Sequence, residues 1–161
     1  QQILAEQKNY LQRHQSLLCH QFKLYYMDFN VRALTTKDWD TLVEWWDWWP
    51  GWTAPPKDFL PNHGTGGFMV EKNNKPIVAG FVYFTNSKIA WVEYIISNPD
   101  YKEDDRQDAI KKLLTELEEF ITTMGYKYMF TVVQNKHLIE IHKNLDWNID
   151  EKPSYELSKN L

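Results

Sequence analysis

The sequence predicts an α/β chain of the α+β kind, a mixed and mostly antiparallel sheet with helices on both faces and an extra N-terminal helix. Three observations carry this expectation. Strand-like segments separated by polar turns fill residues 68–97, a long amphipathic stripe follows to Met124, and another strand-like segment comes directly after it. Strands joined by tight turns pair antiparallel, whereas a helix lying between two strands favours a parallel crossover.

The elements follow in order. In residues 1–26 the apolar positions Ile3, Leu4, Tyr10, Leu11, Leu17, Leu18 and Phe22 form a narrow helical stripe. Such a helix docks on the rest of the chain or on a second copy, so the expected division is 1–26 and 27–161. Met27 to Leu34 suits a first strand. Thr35 or Thr36 can cap a helix from about Lys37, with Trp39, Leu42, Val43, Trp46 and Trp49 facing the core until Pro50-Gly51 stop it. A loop rich in Pro and Gly runs from Trp52 to Gly67. Phe68–Glu71, the turn Asn73-Asn74 and Ile77–Phe84 make a hairpin, and Thr85-Asn86-Ser87 turns into a strand from Ile89 to Ser97. In the long helix, Ala109, Ile110, Leu113, Leu114, Leu117, Phe120 and Ile121 share one face, and Gly125 is the expected C-terminal stop. Tyr126–Val133 is the parallel strand, Asn135–Asn144 a short helix, and Ser154–Leu157 a last strand.

Composition narrows the function classes. Net charge is −4, and no basic stripe points to nucleic acid. No apolar run reaches the roughly 18 residues of a membrane span, and no signal pattern opens the chain. The single cysteine, Cys19, excludes an internal disulfide and suits a reducing compartment, so the expectation is a cytoplasmic protein without membrane contact. His14, Cys19 and His20 lack metal-ligand spacing, and no Gly-x-Ser-x-Gly elbow occurs. Asn62–Gly67 looks like a phosphate loop, but no Gly-Lys-Ser/Thr follows, so it is expected to be a flexible lid or the entry to the next strand.

Two segments carry the chemistry. The strand ending at Ser97 runs into Asn98-Pro99-Asp100-Tyr101, then Lys102-Glu103-Asp104-Asp105-Arg106-Gln107, then the helix at about Asp108 with Ala109-Ile110. Further on stand Asn135, Leu138, Ile141, His142, Asp146 and Trp147. In this order and spacing the chain resembles the GNAT superfamily of N-acetyltransferases from Val31 to about Leu157.

The resemblance implies acetyl-CoA as acyl donor and a small-molecule or peptide amine as acceptor. It implies that backbone at Tyr94, Ile95, Ile96 and Ser97 binds pantetheine, and that Lys102, Arg106 and the Gln107 and Asp108 amides hold the diphosphate. Exposed amides and the positive end of a helix dipole suit that task. Asn135 matches the residue that contacts the cofactor arm in relatives. His142 stands where the family has a tyrosine that protonates the leaving thiolate, and Asp146 stands at a left-handed turn that glycine prefers. Glu93 matches a carboxylate that takes the proton from the amine; as a mid-strand residue sharing a face with Trp91 and Ile95, it is otherwise a solvated sheet residue. His142 is otherwise an exposed residue favoured at a helix C-terminus.

The departure lies in the loop. None of its six residues is glycine, and Glu103, Asp104 and Asp105 are acidic. Asp104 and Asp105 either flank a cofactor that Arg106 and Lys102 secure, or simply stabilise the first helical turn. Loops of this kind also resemble those of bacteriophage acetyltransferase-like proteins, and the alternative function is a catalytically inactive structural or interaction protein. Six tryptophans crowd 39–52. Trp45, Trp48 and Trp52 fall off the expected core stripe, so they line an acceptor pocket or an interface, or pack against the N-terminal helix. A homodimer would form through that helix or through the Trp-rich region.

Overall fold

The computed structural model describes residues 28–150, 152 and 156–159. The expected helix at 1–26, with His14, Cys19 and His20, lies outside them, as do Ser154 and Tyr155 of the expected last strand. Glu156 and Leu157 are described and are not in a strand. The sheet has five strands in the order β1 (Asn30–Ala33), β2 (Gly67–Lys72), β3 (Lys75–Phe84), β4 (Ile89–Ser97) and β5 (Tyr128–Phe130). β1 to β4 are antiparallel neighbours, and β5 runs parallel to β4. Helix α1 (Trp39–Trp48) links β1 to β2, α2 (Arg106–Thr123) links β4 to β5, and α3 (Lys136–Lys143) follows β5. The expected mixed, mostly antiparallel sheet is what forms.

Local chemistry explains the connections. Asn73 (φ 51°) and Asn74 (φ 60°) are both left-handed, as the two-residue turn of a twisted hairpin requires. At the end of α2, Gly125 takes φ 79°, its N–H reaches the Thr122 carbonyl at 2.9 Å, and the Tyr126 N–H reaches Ile121 at 3.2 Å. This paired closure lets the chain reverse into β5. Before α1, Asp38 is buried and accepts the Arg32 guanidinium at 2.8 and 2.9 Å and the Thr35 N–H at 2.8 Å. Arg32 also donates to Glu71 at 2.8 Å, so β1, β2 and the entry to α1 share one ion cluster. The bond from Arg32 holds the Asp38 carboxyl below its usual range despite burial.

Strand alternation splits the core into two layers. On one face Val70, Val78, Val82, Ala90 and Val92 meet Leu113, Leu114 and Leu117 of α2 and Ile141 of α3. On the other, Met69, Ala79, Phe81 and Ile96 meet Leu42, Trp45 and Trp46 of α1. Each such fully buried side chain contributes about 1.5–3 kcal/mol. The buried stripe on α1 is Leu42, Trp45 and Trp46; Val43, expected inside, is only half-buried. Leu60 and Ala54, from the loop after α1, join this layer and widen the buried face. That loop carries 3-10 turns at Lys57–Phe59 and Pro61–Gly64, then enters β2 through the bond from Gly66 N–H to the Pro61 carbonyl. Among the described residues, no helix is long and apolar enough to cross a membrane.

Candidate functional site

A defect in β4 shapes the site. Phe81 pairs with Glu93 and Ala79 with Ile96, so Gly80 alone faces both Tyr94 and Ile95. The extra residue is absorbed as a β-bulge, with Tyr94 left-handed at φ 54°. For a tyrosine this backbone costs about 1–3 kcal/mol, a strain that persists only where its surroundings enforce it. Trp46 does so from below, its ring meeting Tyr94 edge-on at 6.4 Å and stacking on Phe81 at 6.2 Å. Gly80 gives room, since a Cβ there would stand 3.1 Å from Leu113 Cδ2 and 3.4 Å from Ile95 Cγ1. Pairing of β4 with β5 covers only Ile89–Trp91 against Tyr128–Phe130. Beyond Trp91 the two parallel segments part, and the expected strand to Val133 is cut to three residues.

Glu93 sits where they part. Its carboxylate accepts the Trp91 indole N–H at 2.6 Å, and the backbone N–H groups of Tyr94 and Val132 act on it as well. Burial raises its pKa, and these donors only partly offset the rise. The expected face is half right. Trp91 is its neighbour, but the bulge turns Ile95 to the other face, where it packs in the α2 layer. At the far end of β4, the Trp49 indole donates to the Ser97 carbonyl at 3.1 Å.

The N-terminus of α2 opens beside the end of β4. Asp105 is its N-cap residue, and the helix begins at Arg106, two residues earlier than expected. Lys102, Glu103, Asp104 and Gln107 are exposed, so two of the three loop acids point into solvent. Arg106 donates to the Asn98 carbonyl at 3.2 Å, while its Nε is buried without a partner. Asp108 approaches Lys111 at 3.4 Å.

The second expected segment is placed differently. Asn135 caps α3, its Oδ1 accepting the His137 and Leu138 N–H groups at 2.9 and 3.1 Å. Asp146 does adopt the left-handed turn, with φ 60°. His142 is not an exposed helix residue. It is 3 % exposed, with Nδ1 2.7 Å from the Leu138 carbonyl and its ring edge-on to Trp147 at 4.8 Å. A carbonyl partner makes Nδ1 the donor, which leaves Nε2 as a buried acceptor without a partner. Burial lowers its pKa, so the enclosure disfavours the charged ring. Glu93 pairs with Phe81 of the α1 layer, whereas His142 adjoins Ile141 and Trp147 of the other, so the two are not brought to one face.

The His142 geometry has a consequence for stability. Because the folded value lies below the unfolded 6.5, stability is full above pH 6.5 and falls as the pH drops below it. The His142→Leu variant is expected to lose less stability than the parent between pH 7 and 5, as urea midpoints would show. Equal losses in the two proteins would remove this account.

The tryptophans divide as well. Trp45 is 4 % exposed and belongs to the core, so it is corrected from a pocket residue to a packing one. It lies three positions after Leu42, on the buried stripe of α1. Trp48 and Trp52 are exposed at 54 % and 57 %. Sequence reasoning missed Lys72, Tyr101 and the Trp49–Ser97 bond. Lys72 acts across 33 positions, which no local pattern marks; Tyr101 reaches Asp105 four positions on, and the periodicity assigns Trp49 only to the core. A cavity of about 210 Å³ lies beside β5, lined among others by Tyr128, Phe130, Thr131, Asp146 and Trp147; the last two belong to the second expected segment, and none of the expected catalytic, cofactor-binding or acceptor-binding residues lines it. Among the described residues, no three His, Cys, Asp or Glu side chains are grouped to hold a metal.

No family model matches the chain, and no curated protein matches it. Solved structures do. The ribosomal-protein-S18-alanine N-acetyltransferase from Escherichia coli is 19 % identical, with a TM-score of 0.61 over 74 % of this chain and 77 % of that one. An aminoglycoside acetyltransferase from an uncultured soil metagenomic sample, solved with trehalose and with sisomicin, is 14 % identical. Its TM-score is 0.60 over 83 % of this chain and 97 % of that one. A third acetyltransferase, AAC(6')-Iy in complex with a bisubstrate analogue containing CoA, is 14 % identical at 0.58 over 82 % and 99 %. The fold is that of the GNAT acetyltransferases.

Proposed function

We propose that this chain is an N-acyltransferase, moving the acetyl group of acetyl-CoA to a primary amine of a small molecule or peptide. The observation that carries the reading is the opening made by the Tyr94–Ile95 bulge, where β4 leaves β5 with a half-buried carboxylate at the junction. Acetyl-CoA would supply the thioester, and the residues of this chain would hold and deprotonate. Backbone from Tyr94 to Ser97, no longer paired to β5, offers N–H and C=O groups to pantetheine. The Gln107 amide in the first turn of α2, with Arg106 and Lys102, would face the diphosphate end, while the Asp108 N–H donates to the Asp105 carbonyl at 3.0 Å. Glu93, whose raised pKa brings it nearer neutrality, takes the proton from the attacking amine. Three of the similar structures fit this reading: two act on amine-bearing acceptors by name, and one carries a CoA analogue.

The test is calorimetric titration with CoA, followed by thiol release from acetyl-CoA in the presence of amines. Micromolar binding, weakened by Arg106→Glu, and amine-dependent thiol release are expected. No binding at millimolar CoA overturns the reading and favours the alternative, an interaction protein working through the exposed Trp48, Trp52 and Phe59.

A further inference from the structure

We propose that Lys72 is a positioning residue that keeps the α2 N-terminus open to a diphosphate by drawing the Asp105 carboxylate away from it. The inference rests on the acetyl-CoA reading above and explains how a glycine-free, acidic loop can serve it. An aspartate at an N-cap ordinarily folds back to accept the N–H groups of the first turn, and so occupies the anion position itself. Asn135 does this at the start of α3 in the same chain. Asp105 does not: no cap bond forms from its side chain.

Instead, Asp105 Oδ2 lies 2.7 Å from Lys72 Nζ, and Oδ1 accepts the Tyr101 hydroxyl at 2.7 Å. Lys72 ends β2, where it also comes 3.8 Å from Asp28 and lies over the Phe29 ring. Tyr101 is almost fully buried below the loop. Strand, loop and helix therefore hold both carboxylate oxygens on the sheet side of the helix end. Burial alone would raise the Asp105 pKa, but the Lys72 and Tyr101 bonds bring it below the usual value, so the charge is present and compensated. With Glu103 and Asp104 in solvent, the loop acid at the N-cap, Asp105, is the one that is clamped.

The experiment is calorimetric titration of CoA into the parent chain and the variants Lys72→Met, Lys72→Arg and Lys72→Met/Asp105→Ala. Released from Lys72, Asp105 would cap the helix and repel the ligand. Lys72→Met is therefore expected to weaken CoA binding on the order of tenfold to a hundredfold. Lys72→Arg should retain most of the affinity, and the double variant should recover it to within about threefold, because Ala has neither a charge to repel the diphosphate nor an oxygen to occupy the first-turn amides. Recovery in the double variant separates positioning from simple loss of structure. The proposal is overturned if Lys72→Met binds like the parent, or if the double variant stays as weak as the single one. A parent chain that binds no CoA overturns the acetyl-CoA reading itself.

Discussion

Glu93→Gln is expected to lower the rate of acetyl transfer about a hundredfold or more and to abolish the acid limb of its pH profile. Glutamine keeps the size of the side chain and an oxygen for the Trp91 indole N–H, so the 2.6 Å bond and the bulge beside it survive. What disappears is a proton acceptor. General base catalysis by a positioned group contributes about 10²–10⁴-fold, which sets the scale. Burial raises the Glu93 pKa. The base form therefore grows in as the pH climbs through that raised value, and the parent rate climbs with it. The same shift makes an opposite statement about stability. A carboxyl with a raised folded pKa contributes stability below its unfolded value and loses it as the pH passes the folded one. Glu93→Gln should therefore gain stability relative to the parent at pH 7 to 8 while losing activity, a trade typical of strained sites. Unchanged turnover and an unchanged pH profile in the variant would remove Glu93 from the mechanism.

Trp46→Ala is expected to cost about 3–5 kcal/mol, the range for removing a large aromatic from a packed core. Trp46 is 1 % exposed, stacks on Phe81, meets Trp39 at 6.2 Å and supports Tyr94 edge-on. Against a total stability of about 5–15 kcal/mol, that loss is a large fraction, and the urea midpoint should fall steeply. A second effect follows from the contact with Tyr94. Its left-handed backbone is held by what packs around it, so removing Trp46 should relax the bulge and lower acetyl transfer even below the unfolding transition. A midpoint shift under about 1 kcal/mol would show that α1 does not anchor this face.

Much of the fold was legible in the chain itself. Asn73-Asn74 specified a hairpin turn because these residues tolerate left-handed backbone, and the Ala109–Ile121 stripe with Gly125 after it specified both the buried face of α2 and its stop. The family resemblance singles out Glu93 and Arg106 as candidates, and the sequence places the start of α2 two residues late. Errors arose where one element modified another. Alternation placed Ile95 beside Glu93 until an extra residue in β4 reversed it. Trp45, expected off the core stripe, lies three positions after Leu42 and packs with it in the α1 layer. The sequence alone leaves His142 either exposed at a helix end or a proton donor, and its position after Leu138 and before Trp147 encloses it, which contradicts the exposed reading.

Local sequence thus determined the elements, their order and the polarity of their faces, because backbone preference and apolar period act over a few residues. Tertiary structure decided the charge states and vacancies of the site: which loop acid is compensated, which strand bulges, and where β4 leaves β5. Those depend on Lys72 meeting Asp105 across 33 positions and on Trp46 meeting Tyr94 across the sheet. Electrostatic compensation and packing act through space, and only the folded chain fixes those distances.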